Sequence, residues 1–330
     1  MSLCNAARMA WLAALVLPAL LNWPATARAA DVVHVGNSAA TSFTFLVGDV
    51  GVAKGMFAKQ GLDVSVSALG GDAKVQQALA SGSIGFGLGS GPAMAFSVKG
   101  APVIAVAAFA GAPRSISVVI PADSAIKSPS DLKGKLLAIS TPGSLTEWLT
   151  KRLSNHEGWG PDGVKTVAVG AGSAMVSALL SKQVDGFMGS TEAGLGLEAR
   201  HAGRILVGME KFAPDFIDHV VFARKEVVQD HPDEVRQFLA GFFDAINFMI
   251  HNRKETIELA SKLLKEEPER MARVYDLEIS MLLPDGRFDP KAVGVLKDSF
   301  VDLGILPERP KDDQLFTTAF LPNVHGSEGN

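Results

Sequence analysis

The sixteen residues 78–93, ALASGSIGFGLGSGPA, return one hundred positions later as residues 178–193, ALLSKQVDGFMGSTEA. Six of the sixteen positions are identical, and the match extends upstream, where GGDAKVQQALAS at 70–81 faces GAGSAMVSALLS at 170–181. The five glycines between 82 and 91 invite a nucleotide-loop reading. Against it, Gly85 and Gly87 are followed by Ser90 where a G-x-G-x-x-G fingerprint needs its third glycine. A strand and its following loop, used twice, account for the pattern better.

Working outward, the order of elements also repeats. In the first copy, periodicity predicts strands over 32–35, 62–68 and 84–88, with helices over 41–59 and 73–81. The second copy predicts strands over 136–139, 165–169 and 184–188, with helices over 144–156 and 173–181. Strands alternating with short helices imply βαβ units, hence an α/β fold with mainly parallel sheets covered on both faces. Residues 110–114, followed by a strand-like run at 117–120, and residues 216–224 read as two crossings between the copies. From Pro232 the chain turns helical, with Phe238, Leu239, Phe242, Phe243, Ile246 and Met249 on one stripe and Asp233 and Glu234 in the first turn. Further helices are expected over 254–265, 269–282 and 290–303, completing the first copy.

The N-terminus has the features of an export signal: Arg8, an apolar run over 9–21, and Ala-Arg-Ala at 27–29 as a cleavage site. That run is shorter than a membrane span requires. The only cysteine, Cys4, lies in this leader, so the remainder has no thiol nucleophile and no thiolate metal site. Setting aside Arg8 and Arg28 leaves 29 basic against 35 acidic residues, a poor balance for binding nucleic acid. About 300 residues exceed what one core usually supports, so two lobes are expected.

The sequence resembles the solute-binding proteins of ABC importers, in the group that takes nitrate, sulfonates, taurine and thiamine-pyrimidine precursors. AKGMFAKQGLDV at 53–64, ALASG at 78–82, SDLKGK at 130–135, TPGS at 141–144 and His231-Pro232 carry the resemblance, which covers nearly the whole chain after the leader. It implies a type 2 periplasmic-binding-protein fold with two hinge crossings, and a periplasmic, monomeric protein that passes a small solute to a membrane permease and its ATPase. It implies no cofactor and no catalysis. The lobes are then 30–114 with 219–330, and 115–218, after a leader at 1–29. Two departures matter: Gly85 stands where relatives usually have aspartate, and GSTEA at 189–193 replaces the aromatic and Asp-Pro common in the nitrate, sulfonate and taurine receptors. The solute therefore cannot be carried over from them.

In open α/β sheets ligands sit beyond the carboxyl ends of the strands. The candidate ligand residues are thus Asn37, Ser38, Thr41, Ser42, Gly70, Gly71, Gly89, Ser90 and Gly91 from the first copy. The second copy supplies Thr141, Gly143, Ser144, Ala171, Ser190 and Glu192. Loops so rich in Gly, Ser and Thr, next to helix starts, suit an anionic or strongly polar solute. The same residues also suit plain turns and caps: Ser144 and Glu147 form an S-x-x-E capping box. Arg114 is the best single partner for an oxyanion, through its two-donor fork, unless it is a surface or inter-lobe ion-pair residue. Glu192 points the other way, toward an N–H or cationic group such as an aminopyrimidine if it faces the cleft, unless it is a solvated helix-start acid. Phe43 and Phe45 suit core packing or ring stacking.

An anionic organic solute and a nitrogen heterocycle both stay open, as does an exported enzyme or ligand sensor on the same fold. The enzyme reading has no residue set behind it, because the chain has neither H-E-x-x-H nor G-x-S-x-G, and His34 and His219 read as packing residues. The cysteine-rich motif of the pyrimidine-synthase relatives is also missing.

Overall fold

Residues 32–39 and 42–322 are described by a computed structural model; the expected leader and Thr41 lie outside them. The first part of the chain runs β1 (Val32–Asn37), a 3-10 turn Phe43–Leu46, α1 (Val47–Ala53), α2 (Met56–Lys59), β2 (Asp63–Ala68), α3 (Asp72–Ser81), β3 (Phe86–Ser90), α4 (Ala95–Val98) and β4 (Val103–Ala110). The second part runs β5 (Ile116–Pro121), β6 (Leu136–Ile139), α5 (Leu145–His156), β7 (Lys165–Ala168), α6 (Ser173–Leu180), β8 (Gly186–Ser190), α7 (Thr191–Ala199) and β9 (Gly203–Gly208). It closes with β10 (His219–Arg224), α8 (Lys225–Asp230), α9 (Pro232–His251), α10 (Arg253–Leu264), α11 (Pro268–Glu278) and α12 (Pro290–Asp302).

The strands form two five-stranded sheets, ordered β2-β1-β3-β10-β4 and β7-β6-β8-β5-β9. In each, the repeated strands pair in parallel and the strand that follows a crossing enters antiparallel: β10 between β3 and β4, and β5 between β8 and β9. Each sheet with its packed helices is a lobe. Strands β4 and β9, which no expected strand covers, complete the sheets. The backbone of β4 is not left open at its outer edge, since Thr317 donates to the Ala105 carbonyl at 2.9 Å and Ala108 donates to that of Gly286 at 2.9 Å. Covering an edge in this way satisfies groups that would otherwise template a foreign strand.

Two expectations need correction. The helix expected over 41–59 begins as a 3-10 turn and is then interrupted at Gly55, whose left-handed conformation (φ 66°) closes α1 and starts α2. The strands expected over 84–88 and 184–188 lie at Phe86–Ser90 and Gly186–Ser190. Their ladders set the register: Ser90 pairs with His219, and Ser190 with Ile116, so these residues end strands instead of opening loops.

The glycines of the repeat now have a physical reason. A Cβ at Gly87 would meet Val75 at 2.6 Å, one at Gly89 the Asp72 carboxylate at 2.7 Å, and one at Gly189 the Met175 sulfur at 2.8 Å. In both copies, then, glycine lets the preceding helix lie close on the strand. At Gly91 a Cβ would overlap the backbone carbonyl of Ile217, so the second crossing can pass directly over β3. The expected stripe on α9 is buried throughout, and Phe238 stacks on Phe57 and on Phe86 at 5.2 and 4.1 Å. That packing joins α9 to the first sheet.

Candidate functional site

The two lobes touch on either side of the crossings, on one side beyond the carboxyl ends of β1 and β8. On one side, α5 meets α12: Trp148 stacks on Phe216 at 4.5 Å and donates its indole N–H to Asp302 at 3.2 Å. On the other side, α7 meets the 3-10 turn and α11. Here the Phe43 N–H donates to Glu192 Oε1 at 3.0 Å, and Arg273 pairs with Glu198 at 2.9 Å.

The polar groups at this second contact are unusual in charge. Glu192 lies in the first turn of α7, beside its N-cap Ser190, whose hydroxyl accepts the Ala193 N–H. Burial pushes the Glu192 carboxyl above its ordinary range, opposed by the Phe43 and Glu192 N–H groups and by the hydroxyls of Ser190 and Ser42. Glu278, at the end of α11, is wholly buried and accepts a bond from the Thr44 hydroxyl at 3.2 Å. Burial, and after it the negative charge of Glu192, hold Glu278 well above the usual carboxylate range. Adjacent residues Phe43 and Thr44 thus hold one carboxyl group from each lobe.

A third carboxyl group comes from the second crossing. Asp218 is wholly buried, accepts the Ser115 hydroxyl from the first crossing at 3.0 Å, and stands 3.5 Å from His219 Nε2. Burial raises its pKa most; His219 and then Ser115 lower it, and Asp72 raises it further. The His219 ring packs 4.5 Å from Phe45 and 5.6 Å from Phe109. Of the nine buried side-chain nitrogen and oxygen atoms without a hydrogen-bond partner among the described residues, Asn37 Oδ1, Glu192 Oε2, Asp218 Oδ1, His219 Nδ1 and Glu278 Oε1 belong to this region; the other four are on Gln76, Arg224 and Ser261. Each such group costs about 1–3 kcal/mol if nothing satisfies it, so a ligand that supplied those bonds would be favoured here.

Ser42, Ser190 and Glu192 are therefore brought together, with Asn37 at the end of β1 nearby in the fold, while Thr41 lies outside the described residues. Other candidates are occupied by the protein itself. Ser90 donates its N–H and hydroxyl to Asp72 at 2.9 and 2.7 Å, and the Gly91 N–H donates to the Asp218 carbonyl at 2.8 Å. Ser38 donates its N–H to Leu88 O at 3.0 Å, Gly70 and Gly71 form a positive-φ turn before α3, and Gly89 serves helix packing. In the second lobe Ser144 caps α5 by accepting the Glu147 N–H, but the Glu147 carboxylate takes the Gly143 N–H at 2.6 Å instead of that of Ser144, so the expected capping box is only half formed. Thr141 and Ala171 are exposed.

Arg114 is exposed and lines a cavity of about 290 Å³ between the crossings and residues 280–292, together with Arg287, Asp215 and Ser280. None of Glu192, Asp218 and Glu278 lines that cavity. The carboxylate contact was only partly visible in sequence. Glu278 falls on the buried stripe Met271, Val274, Tyr275, Glu278, and a carboxylate at the seventh position of an apolar stripe is the signal that could have found it. Asp218, between Ile217 and His219 in an otherwise apolar run, offers a similar signal.

The fold is that of known periplasmic binding proteins. The chain superposes on the periplasmic aliphatic sulphonate-binding protein of Escherichia coli with a TM-score of 0.73 at 16% identity, over 92% of this chain and 96% of that one. For the periplasmic nitrate-binding protein of Synechocystis the TM-score is 0.67 at 16% identity, over 86% and 84%. A protein of Brucella abortus, named only as a binding protein, is 29% identical over 272 residues, which are 78% of this chain and 82% of the relative. The family model described as NMT1/THI5 like matches residues 41–256, and the chain therefore belongs to the NMT1/THI5-like family.

Proposed function

We propose that this protein is the extracytoplasmic solute-binding component of an ABC importer, closing two lobes on one small polar solute and passing it to a permease. One observation carries the reading: five buried polar groups lack partners where the first lobe, the second lobe and the second crossing converge. A solute seated there would touch both lobes at once, so its binding energy would favour the closed arrangement over an open one. The family membership, and neighbours named for sulphonate and nitrate binding, support a transport role. No reaction is assigned. Arg114, the partner expected for an anionic solute, lies apart from this convergence, in the cavity that it shares with Arg287 behind the crossings.

The test is a thermal-shift panel of sulfonates, carboxylates, nitrate, amino acids and nitrogen heterocycles on the leaderless chain, with small-angle scattering on each hit. A solute present at ~100 times its Kd should stabilise the protein by about 2.7 kcal/mol and contract it. A complete panel without a shift, or a hit that leaves the scattering curve unchanged, would contradict the reading.

A further inference from the structure

We infer that the solute is an organic cation that donates N–H bonds, such as a protonated amine, amidine or aminoheterocycle, seated on Glu192, Glu278 and Asp218. The inference rests on the solute-receptor reading and specifies its ligand.

The geometry begins with the direction of the missing bonds. Glu192 Oε2, Glu278 Oε1, Asp218 Oδ1 and Asn37 Oδ1 are oxygen atoms, and each lacks a donor among the described residues. Asn37 Oδ1 accepts in any state, and the three carboxyl groups, which burial drives toward their neutral form, accept N–H bonds at both oxygens once a bound cation ionises them. Their other bonds fix them in place: Glu192 on the Phe43 N–H, Glu278 on the Thr44 hydroxyl, Asp218 on the Ser115 hydroxyl. A ligand thus meets preset acceptors that need little reorganisation.

Charge points the same way. Among the described residues, no lysine or arginine forms an ion pair with any of the three carboxyl groups; His219, 3.5 Å from Asp218, is the one basic neighbour. The arginines at this edge are engaged elsewhere, Arg273 with Glu198 and Arg270 with Glu266. A sulfonate or nitrate would add negative charge beside carboxyl groups that burial already drives toward their neutral form, whereas a cation would stabilise their ionised form. Nor does a metal ion fit, because these side chains are not grouped at metal-ligand spacing among the described residues. Carboxyl groups drawn from α7, α11 and the second crossing suit an extended donor set on an organic frame. The neighbouring walls are aromatic: Phe45 lies against His219, and Phe43 meets Tyr275 edge-on at 5.9 Å. Aromatic faces beside carboxylates favour flat or cationic nitrogen groups.

The test uses two near-isosteres, 4-aminopyridine, which is protonated at neutral pH, and 4-aminopyrimidine, which is neutral there. Benzamidine and ethanolamine serve as further cations, and ethanesulfonate and nitrate as anions. Calorimetric titration of the leaderless wild-type chain is expected to show at least one cation binding, with 4-aminopyridine about tenfold or more tighter than 4-aminopyrimidine. Glu278→Gln and Glu192→Gln, each confirmed folded by its melting curve, should each weaken that cation by about tenfold or more. Binding of an anion or of neutral 4-aminopyrimidine in preference to every cation would overturn the ligand class while leaving a solute receptor standing. Unchanged cation affinity in both variants would overturn the seat. No binding by any cation, while another solute from the wider panel binds, also overturns the class; no binding by any solute removes the receptor reading itself.

Discussion

Replacing Glu278 by Gln should make the protein more stable at neutral and alkaline pH and erase part of its pH dependence. Glu278 is wholly buried, with one oxygen on the neutral Thr44 hydroxyl and the other without a partner. Burial first, then the charge of Glu192, raise its folded pKa well above the unfolded value. Between those two values the folded state holds a proton that the unfolded state has lost, so stability falls as pH rises. One such group changes unfolding free energy by about 1.4 kcal/mol per pH unit across that window. For a chain of this size that is about 3 °C in Tm per pH unit, at roughly 2 °C per kcal/mol. Below the unfolded pKa, near 4, both forms are protonated and the contribution is fully present. Gln cannot titrate, so its curve should run above the wild-type curve at pH 8 and converge with it, or cross it, near pH 4. The assay is urea unfolding of ligand-free wild type and Glu278→Gln at half-unit pH intervals from 4 to 8. Parallel curves over the whole range would refute the reasoning, because they would mean that Glu278 gains and loses its proton alike in the folded and unfolded chain.

Four other substitutions separate packing from binding. Gly91→Ala forces a Cβ into the Ile217 carbonyl, a backbone atom that cannot turn aside, and should cost about 3 kcal/mol in urea unfolding; a loss under about 0.5 kcal/mol would contradict the close crossing. Ser90→Ala removes the hydroxyl bond to Asp72 at 2.7 Å and should cost about 1–2 kcal/mol while leaving solute affinity within about threefold, whereas a large affinity loss would restore Ser90 as a ligand residue. Phe238→Ala, which removes stacking on Phe57 and Phe86, should cost about 3–5 kcal/mol, while Arg236→Ala, two residues away in an exposed pair with Asp233, should cost less than about 1 kcal/mol.

The comparison of sequence with structure has a physical pattern. The repeat around 78–93 and 178–193 is legible because each copy must bury the same helix on the same strand, so Ala78, Leu79, Ser81, Gly89 and Ser90 recur at one offset. The two-residue displacement of β3 and β8 was not legible, since strand ends are set by distant partners such as His219 and Ile116. At the site, Glu192 and Asn37 could be found from their place after strands. Glu278 could not be placed there by spacing alone, for its partner Thr44 lies 234 residues away. Glycines 87, 89 and 91, which look like ligand-loop residues, are instead taken up by close contacts within the protein.

The central claim is that a solute binds where the lobes converge, on Asn37, Glu192, Asp218 and Glu278. A crystal structure with the tightest-binding solute of the panel tests it most directly. The account predicts solute nitrogen atoms within hydrogen-bond distance of Glu192 Oε2 and Glu278 Oε1, both now without partners. A solute bound instead beside Arg114 and Arg287, in the cavity behind the crossings, would contradict it.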